Sequence, residues 1–160
     1  MLTERLKNFK HVNVGEMIKS GKFYDGRDEE LDTYILDEDK LLDAMEVVLD
    51  EVAEAGNGIV CDYHANELFP ERWFDLVLVL RTKTNVLFDR LTKRGYNEKK
   101  RSENMESEIM QVVLDEAREA YAPEIVHEVQ SNTMEDMENN IKRVEDWVAQ
   151  WMKDNATEES

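Results

Sequence analysis

The chain has 160 residues, 41% of them hydrophobic and 36% charged, with a net charge of −17; that fits one compact, heavily solvated domain. The acidic balance argues against direct, charge-driven binding to RNA or DNA, and is compatible with a basic protein partner or with solubility alone. No stretch reaches the ~20 apolar residues of a membrane span. The start, Met1-Leu2-Thr3-Glu4-Arg5, has no apolar leader core, and the single Cys61 allows no internal disulfide and points to a reducing compartment.

In chain order, the first predicted strand is His11-Val12-Asn13-Val14. Tyr24 to Asp39 is strongly acidic and reads either as a nucleoside-binding arm or as a solvated loop with a helix cap. Leu42, Met45, Val48, Leu49, Val52 and Ala53 form one helical face opening at Asp37-Glu38-Asp39 and ending before Gly56. A second strand covers Gly58 to Tyr63. The third, Leu76 to Leu80, is continuously apolar, as in a strand buried on both faces of a parallel sheet. Val86, Leu87 and Leu91 predict a short helix ending near Gly95. One longer helix then runs from Met105 to Ala120 and is stopped by Pro123. A fourth strand covers Ile125 to Val129. The last helix carries Met134, Met137, Ile141, Val144, Val148, Trp151 and Met152, a stripe that reads as core packing, with Thr133 as N-cap and Asp136 three residues later. Residues 155–160 read as a disordered tail. The alternation predicts an α/β fold: one parallel sheet flanked by helices, with right-handed crossovers and no internal domain boundary.

Ligands of open parallel sheets bind at the carboxyl ends of the strands. Asp62 ends the second strand, where a carboxylate suits the water shell of Mg²⁺, although strand-end aspartates also cap turns. His64 follows, able to contact phosphate or carry a proton near neutral pH. Lys93 to Arg101 places five of the chain's 20 basic residues within nine positions. Such a cluster suits a clamp over polyphosphate, Lys99 and Lys100 included, or a solvated turn, with Gly95 as the bend of a lid.

Several strings are more specific. Val12-Asn13-Val14-Gly15-Glu16, Tyr24-Asp25-Gly26, Asp62-Tyr63-His64, Phe69-Pro70-Glu71-Arg72-Trp73 and Arg94-Gly95-Tyr96-Asn97-Glu98-Lys99-Lys100 occur in this order. With them the chain resembles the adenylate kinase isoenzyme 6 family, the coilin-interacting nuclear ATPases, from about Leu6 to Asp154. The resemblance implies a three-layer P-loop-kinase-like fold, with residues 13–36 as monophosphate-binding arm and 93–103 as lid. It implies ATP and AMP or another nucleoside monophosphate as substrates, Mg²⁺ with the ATP, and ATPase activity. It further implies a role in small ribosomal subunit (18S rRNA) maturation through a small-subunit ribosomal protein, in nucleus and cytoplasm. By the same resemblance Asp62 is the Mg²⁺-associated aspartate, acting through water, and His64 its catalytic neighbour. Arg94, Lys99 and Lys100 then reach ATP, while Asn13, Gly15, Lys19 and Arg72 face the monophosphate. Lys19 stands where many relatives carry arginine, which keeps the charge but loses the bidentate fork.

One departure is large. The family begins with a strand and a G-x-x-x-x-G-K-[ST] loop, and none of the six glycines here precedes Lys-Ser or Lys-Thr. The expectation is therefore a fold without its central first strand and phosphate loop, with impaired catalysis, as though translation began at an internal methionine. The strands at Gly58 and Leu76 would then face a gap of ~10 Å, about two ladder spacings. The alternative is a non-catalytic acidic module that binds a basic small-subunit ribosomal protein.

Overall fold

The computed structural model describes residues 2, 6, 8–30, 33–66 and 68–156. Among the described residues the elements that build the fold are, in order, β1 (Phe9–Asn13), α1 (Val14–Gly21), β2 (Tyr24–Asp28), β3 (Thr33–Leu36), α2 (Glu38–Glu54), β4 (Gly58–Asp62), β5 (Val77–Arg81), α3 (Thr84–Lys93), α4 (Glu98–Ile109), α5 (Val112–Ala120), β6 (Val126–Gln130) and α6 (Met134–Ala156). The class is α/β, as the sequence pattern predicts. The single parallel sheet, however, is two parallel pairs, β1–β4 and β5–β6, beside an antiparallel hairpin, β2–β3. The sheet does not close between β4 and β5.

Side-chain alternation explains how the two pairs form common layers. Ile59 and Cys61 of β4 pack with Leu41 and Met45 of α2, Val14 and Ile18 of α1, and Val12 of β1. Val79 of β5 packs on Leu114 and Ala117 of α5. The opposite faces, Val60 from β4 and Leu76 and Leu78 at β5, meet one cluster of Leu6, Val144 and Val148, with Phe9 and Trp147 packed against it. Helix α6 therefore spans both pairs, and apolar packing joins what the ladders do not. Polar links add to this: Tyr121 donates its hydroxyl to the Asn66 carbonyl at 2.8 Å, tying the end of α5 to the loop after β4.

Local signals set the boundaries. Asp37 caps α2, its carboxylate accepting the Lys40 N–H at 3.3 Å. Thr133 and Asp136 cap α6 reciprocally, at 3.0 and 3.2 Å. Phe9 lies opposite Gly58 in the β1–β4 register, and its ring fills the space a side chain at Gly58 would occupy, 2.3 Å from a Cβ placed there.

Four further expectations need correction. The acidic stretch after Tyr24 is neither loop nor cap alone but a hairpin, with a register shift between Tyr24 and Arg27 and Gly26 at φ +146°. The long helix from Met105 to Ala120 is two, α4 and α5, broken where Gln111 turns left-handed at φ +57°. Strand β5 is not buried on both faces, since Leu80 is 57% exposed. In α6, Ile141, Val144 and Val148 are core, whereas Met134, Trp151 and Met152 are exposed. Asn155 and Ala156 still belong to α6; the rest of the expected tail, 157–160, lies outside the described residues.

Candidate active site

Parallel pairing puts the carboxyl ends of β1 and β4 side by side, with Asn13 in register with Asp62. Asn13 ends the strand and caps α1, its side-chain oxygen accepting the Glu16 N–H at 3.1 Å. Gly15 lies in the first turn of that helix and Lys19 in its last, exposed. Asp62 is exposed, and its Oδ2 is hydrogen-bonded to Nε2 of His11. His11 and Asn13 are two residues apart on β1 and share a strand face, which brings three polar groups together beyond the strand ends.

The chain then runs into Tyr63 and His64, whose rings lie 4.2 Å apart. His64 is exposed at the surface, but partial desolvation of its ring, and secondly the charge of Lys100, lower its pKa below the ordinary 6.5, so the imidazole is mostly neutral at pH 7. Lys100 reaches this neighbourhood from the first turn of α4, its ammonium 4.2 Å above the Tyr96 ring. Burial, with Asp62's charge behind it, pushes the Cys61 thiol up to about 11, which makes it a packing group and not a nucleophile.

Asp62 and His64 thus follow one another past the end of β4, with Asn13 alongside Asp62, and the charge of Lys100 on α4 is felt at His64. Lys99 points elsewhere: it pairs with Glu30 at the tip of the β2–β3 hairpin. Arg94 is exposed at the C-cap of α3, its N–H bonded to the Arg90 carbonyl at 3.1 Å. Arg72 stands apart. It sits in a 3-10 turn, Glu71–Trp73, and lines an open hollow of about 620 Å³ with Asp75 and Ile125, at the amino ends of β5 and β6.

Among the described residues no group of three or more His, Cys, Asp or Glu could hold a metal by itself. One exposed strand-end carboxylate nevertheless fits Mg²⁺ that arrives with phosphate, because this ion keeps several waters and needs only one or two protein carboxylates. Among the described residues, no helix is long and apolar enough to cross a membrane.

Three site elements escape sequence reading. His11 carries a signal in retrospect, its shared strand face with Asn13. Glu30 is one carboxylate in an acidic run, with nothing to single it out. Arg81, at the end of β5, is largely buried and donates Nε–H to Glu108 Oε1 at 2.6 Å and Nη2–H to the Glu108 carbonyl at 3.0 Å. The Thr82 N–H donates to the same carboxylate at 3.2 Å. These bonds clamp the far end of α4 to the strand end, across 27 residues that no local pattern links.

A family profile described as an AAA domain matches residues 1–111. The adenylate kinase isoenzyme 6 homolog of Dictyostelium discoideum is 48% identical over 145 residues, 91% of this chain and 80% of the relative. The Saccharomyces cerevisiae homolog is 44% identical over 152 residues, 95% of this chain and 75% of its own length. A putative adenylate kinase of Methanocaldococcus jannaschii is 33% identical over 144 residues, 90% of this chain and 73% of its own. The chain belongs to the adenylate kinase isoenzyme 6 family, and its α/β body is that of a nucleotide-kinase-like protein.

Proposed function

We propose that the chain supplies the monophosphate side, strand-end carboxylate and basic lid of a nucleoside monophosphate kinase that transfers the γ-phosphoryl of ATP to AMP or a similar acceptor, and that also hydrolyses ATP. The observation supporting this reading is the parallel register that sets Asn13 beside Asp62 at the strand ends, with His64 two residues on. Phosphoryl transfer is chiefly positioning and charge stabilisation, and each residue has a part suited to its place. Lys100, Lys99 and Arg94 supply positive charge for the ATP phosphates. Asn13, Gly15 and Lys19 border the monophosphate side, Lys19 as a point charge without arginine's fork. His64, kept neutral, holds a proton on one ring nitrogen and accepts a hydrogen bond at the other. Asp62 orients the waters of Mg²⁺, which when bound would neutralise charge on the phosphates. Arg72 belongs to this reading only through the motif around it.

The 160 residues contain no G-x-x-x-x-G-K-[ST] string, so no backbone cradle of that kind is available in them for the β- and γ-phosphates. We accordingly propose nucleotide binding with negligible turnover for this polypeptide alone. Calorimetry with AMP and with Mg·ATP should show binding, weakened by Lys19→Gln and Lys100→Gln respectively, while ³¹P NMR shows no ADP formed above background. Mg²⁺-dependent ADP formation that Asp62→Asn abolishes would overturn the impairment. Absence of binding to either nucleotide would overturn the nucleotide reading itself.

The proposed cellular setting is small-subunit ribosome maturation, in nucleus and cytoplasm, through a basic small-subunit ribosomal protein. The net charge of −17 supports a basic partner. It also favours a second reading, a non-catalytic acidic binding module, which capture of such a protein without any nucleotide binding would select.

A further inference from the structure

Glu30 and Lys99 are 69 residues apart, yet they form an ion pair that joins the tip of the β2–β3 hairpin to the first turn of α4. A second bond lies beside it: Asn97 donates its amide N–H to the Glu30 backbone carbonyl at 3.2 Å. The oxygen of the same amide caps α4, accepting the Lys100 N–H at 2.8 Å. Asn97 is thus committed at both ends, and the hairpin is tied to the helix cap itself. Glu103 and Asp28 add negative charge around Lys99 and reinforce its protonation.

What holds α4 from its other sides decides which part can move. Arg101 lies 4.5 Å over the Phe88 ring and donates to the Thr92 hydroxyl at 3.3 Å, so α3 and α4 are fastened together. Arg81 and Thr82 clamp Glu108 at the far end. The base of the hairpin is rooted by the Asp37 N–H to Phe23 carbonyl bond at 2.9 Å and by Tyr24 and Leu36 packing on the core, while its tip lies past an irregular register and a positive-φ Gly26.

We infer that Glu30 and Lys99 form a latch that closes the β2–β3 hairpin onto α4 and occupies Lys99 with an internal carboxylate until a competing anion takes its place. The side chains are 74% and 50% exposed, so salt and soluble anions reach them directly. A hydrogen-bonded carboxylate and a phosphate present similar oxygen acceptors to an ammonium group, and only one can be central to it. The latch stands on geometry alone; its release by phosphate rests on the nucleotide reading above.

Spin labels at Asp25→Cys and Ser102→Cys, both exposed positions, in a Cys61→Ala background, read the hairpin-to-helix distance by pulsed EPR. The labelled protein should give one short, narrow distance, and Glu30→Gln should lengthen and broaden it, as should about 0.5 M KCl, where screening acts within a few ångströms. The charge exchange Glu30→Lys with Lys99→Glu should restore the short distance. A distribution unchanged by Glu30→Gln, or one the exchange fails to restore, overturns the latch. Calorimetry with inorganic tripolyphosphate then tests the competition in the unlabelled protein. Glu30→Gln should tighten binding several-fold and Lys99→Gln should weaken it. If the distances respond as stated while tripolyphosphate affinity does not change, the latch stands and the phosphate role of Lys99 is overturned.

Discussion

The two parallel pairs are built to the same plan and stabilised unequally. Around β1–β4 the core holds Val12, Val14, Ile18, Leu41, Met45 and Phe69, with Tyr63, Trp73 and Phe74 packed at its margin. Around β5–β6 one face holds only Val79, Leu114 and Ala117, with three partly buried valines, while the other shares the α6 cluster with β4. The poorer pair compensates with polar chemistry, for Arg81, Glu108, Glu128 and Arg118 form a chain of ion pairs over it. An apolar core is little affected by salt, while an ion-pair chain is weakened by it where solvent reaches the pairs. The half without the Asp62 site is therefore the half whose stability should depend on ionic strength.

The sharpest way to break this comparison is in the cores. Leu41 is fully buried and Leu114 nearly so. Leu41→Ala should cost about 4 kcal/mol, because its aromatic-lined surroundings cannot collapse, and Leu114→Ala about 2–3 kcal/mol, both within the range for buried leucine truncation. Urea unfolding measures the two, and equal losses would refute the asymmetry. Next comes the polar clamp: Arg81→Ala should cost about 2–3 kcal/mol, since it strands a largely desolvated Glu108 carboxylate. The smallest effect lies at the site. His64 titrates below 6.5 in the folded protein, through burial first and Lys100 second. As pH falls through 6.5 the unfolded chain takes up a proton that the folded chain resists, so this residue costs stability on acidification. Lys100→Gln should move the His64 midpoint upward in an NMR titration and return part of that loss, without reaching 6.5, because burial remains.

What was legible in the sequence is what neighbouring residues decide. Most of the α2 face, the Asp37 and Thr133 caps, β5 and the core of α6 follow from periodicity and capping within a few turns, although the predicted face omits the fully buried Leu41 and includes Ala53, which is exposed. Helix α1 was hidden because only eight residues separate Asn13 from the end of Gly21, too few for a repeating face. The hairpin strand Tyr24-Asp25-Gly26-Arg27-Asp28 lacks apolar alternation, so nothing marks it as β. The break between α4 and α5 falls at a glutamine, which gives no turn signal, while the apolar spacing continues across it. At the site, Asp62, His64 and the basic segment were legible from position and motif. The residues that hold them, His11, Glu30, Arg81 and Glu108, were not, since their partners lie 27 to 69 residues away in sequence. Contacts of that span are made by topology, which a local pattern does not contain.

The parallel pairing also sets how the chain can fold. Each pair must be closed by a long crossover, residues 14–57 in one and 82–125 in the other, 44 residues each. Loop-closure entropy depends on that length and only weakly, so neither pair is favoured to form first by topology. Any head start must come from the packing reward, which is larger at β1–β4. Helix α6, last in the chain, then arrives to find one face of its cluster already presented by Val60 and Phe9. Stopped-flow refolding of Val60→Ala and Leu78→Ala variants would show the order, for the earlier-formed contact slows folding and the later one only hastens unfolding.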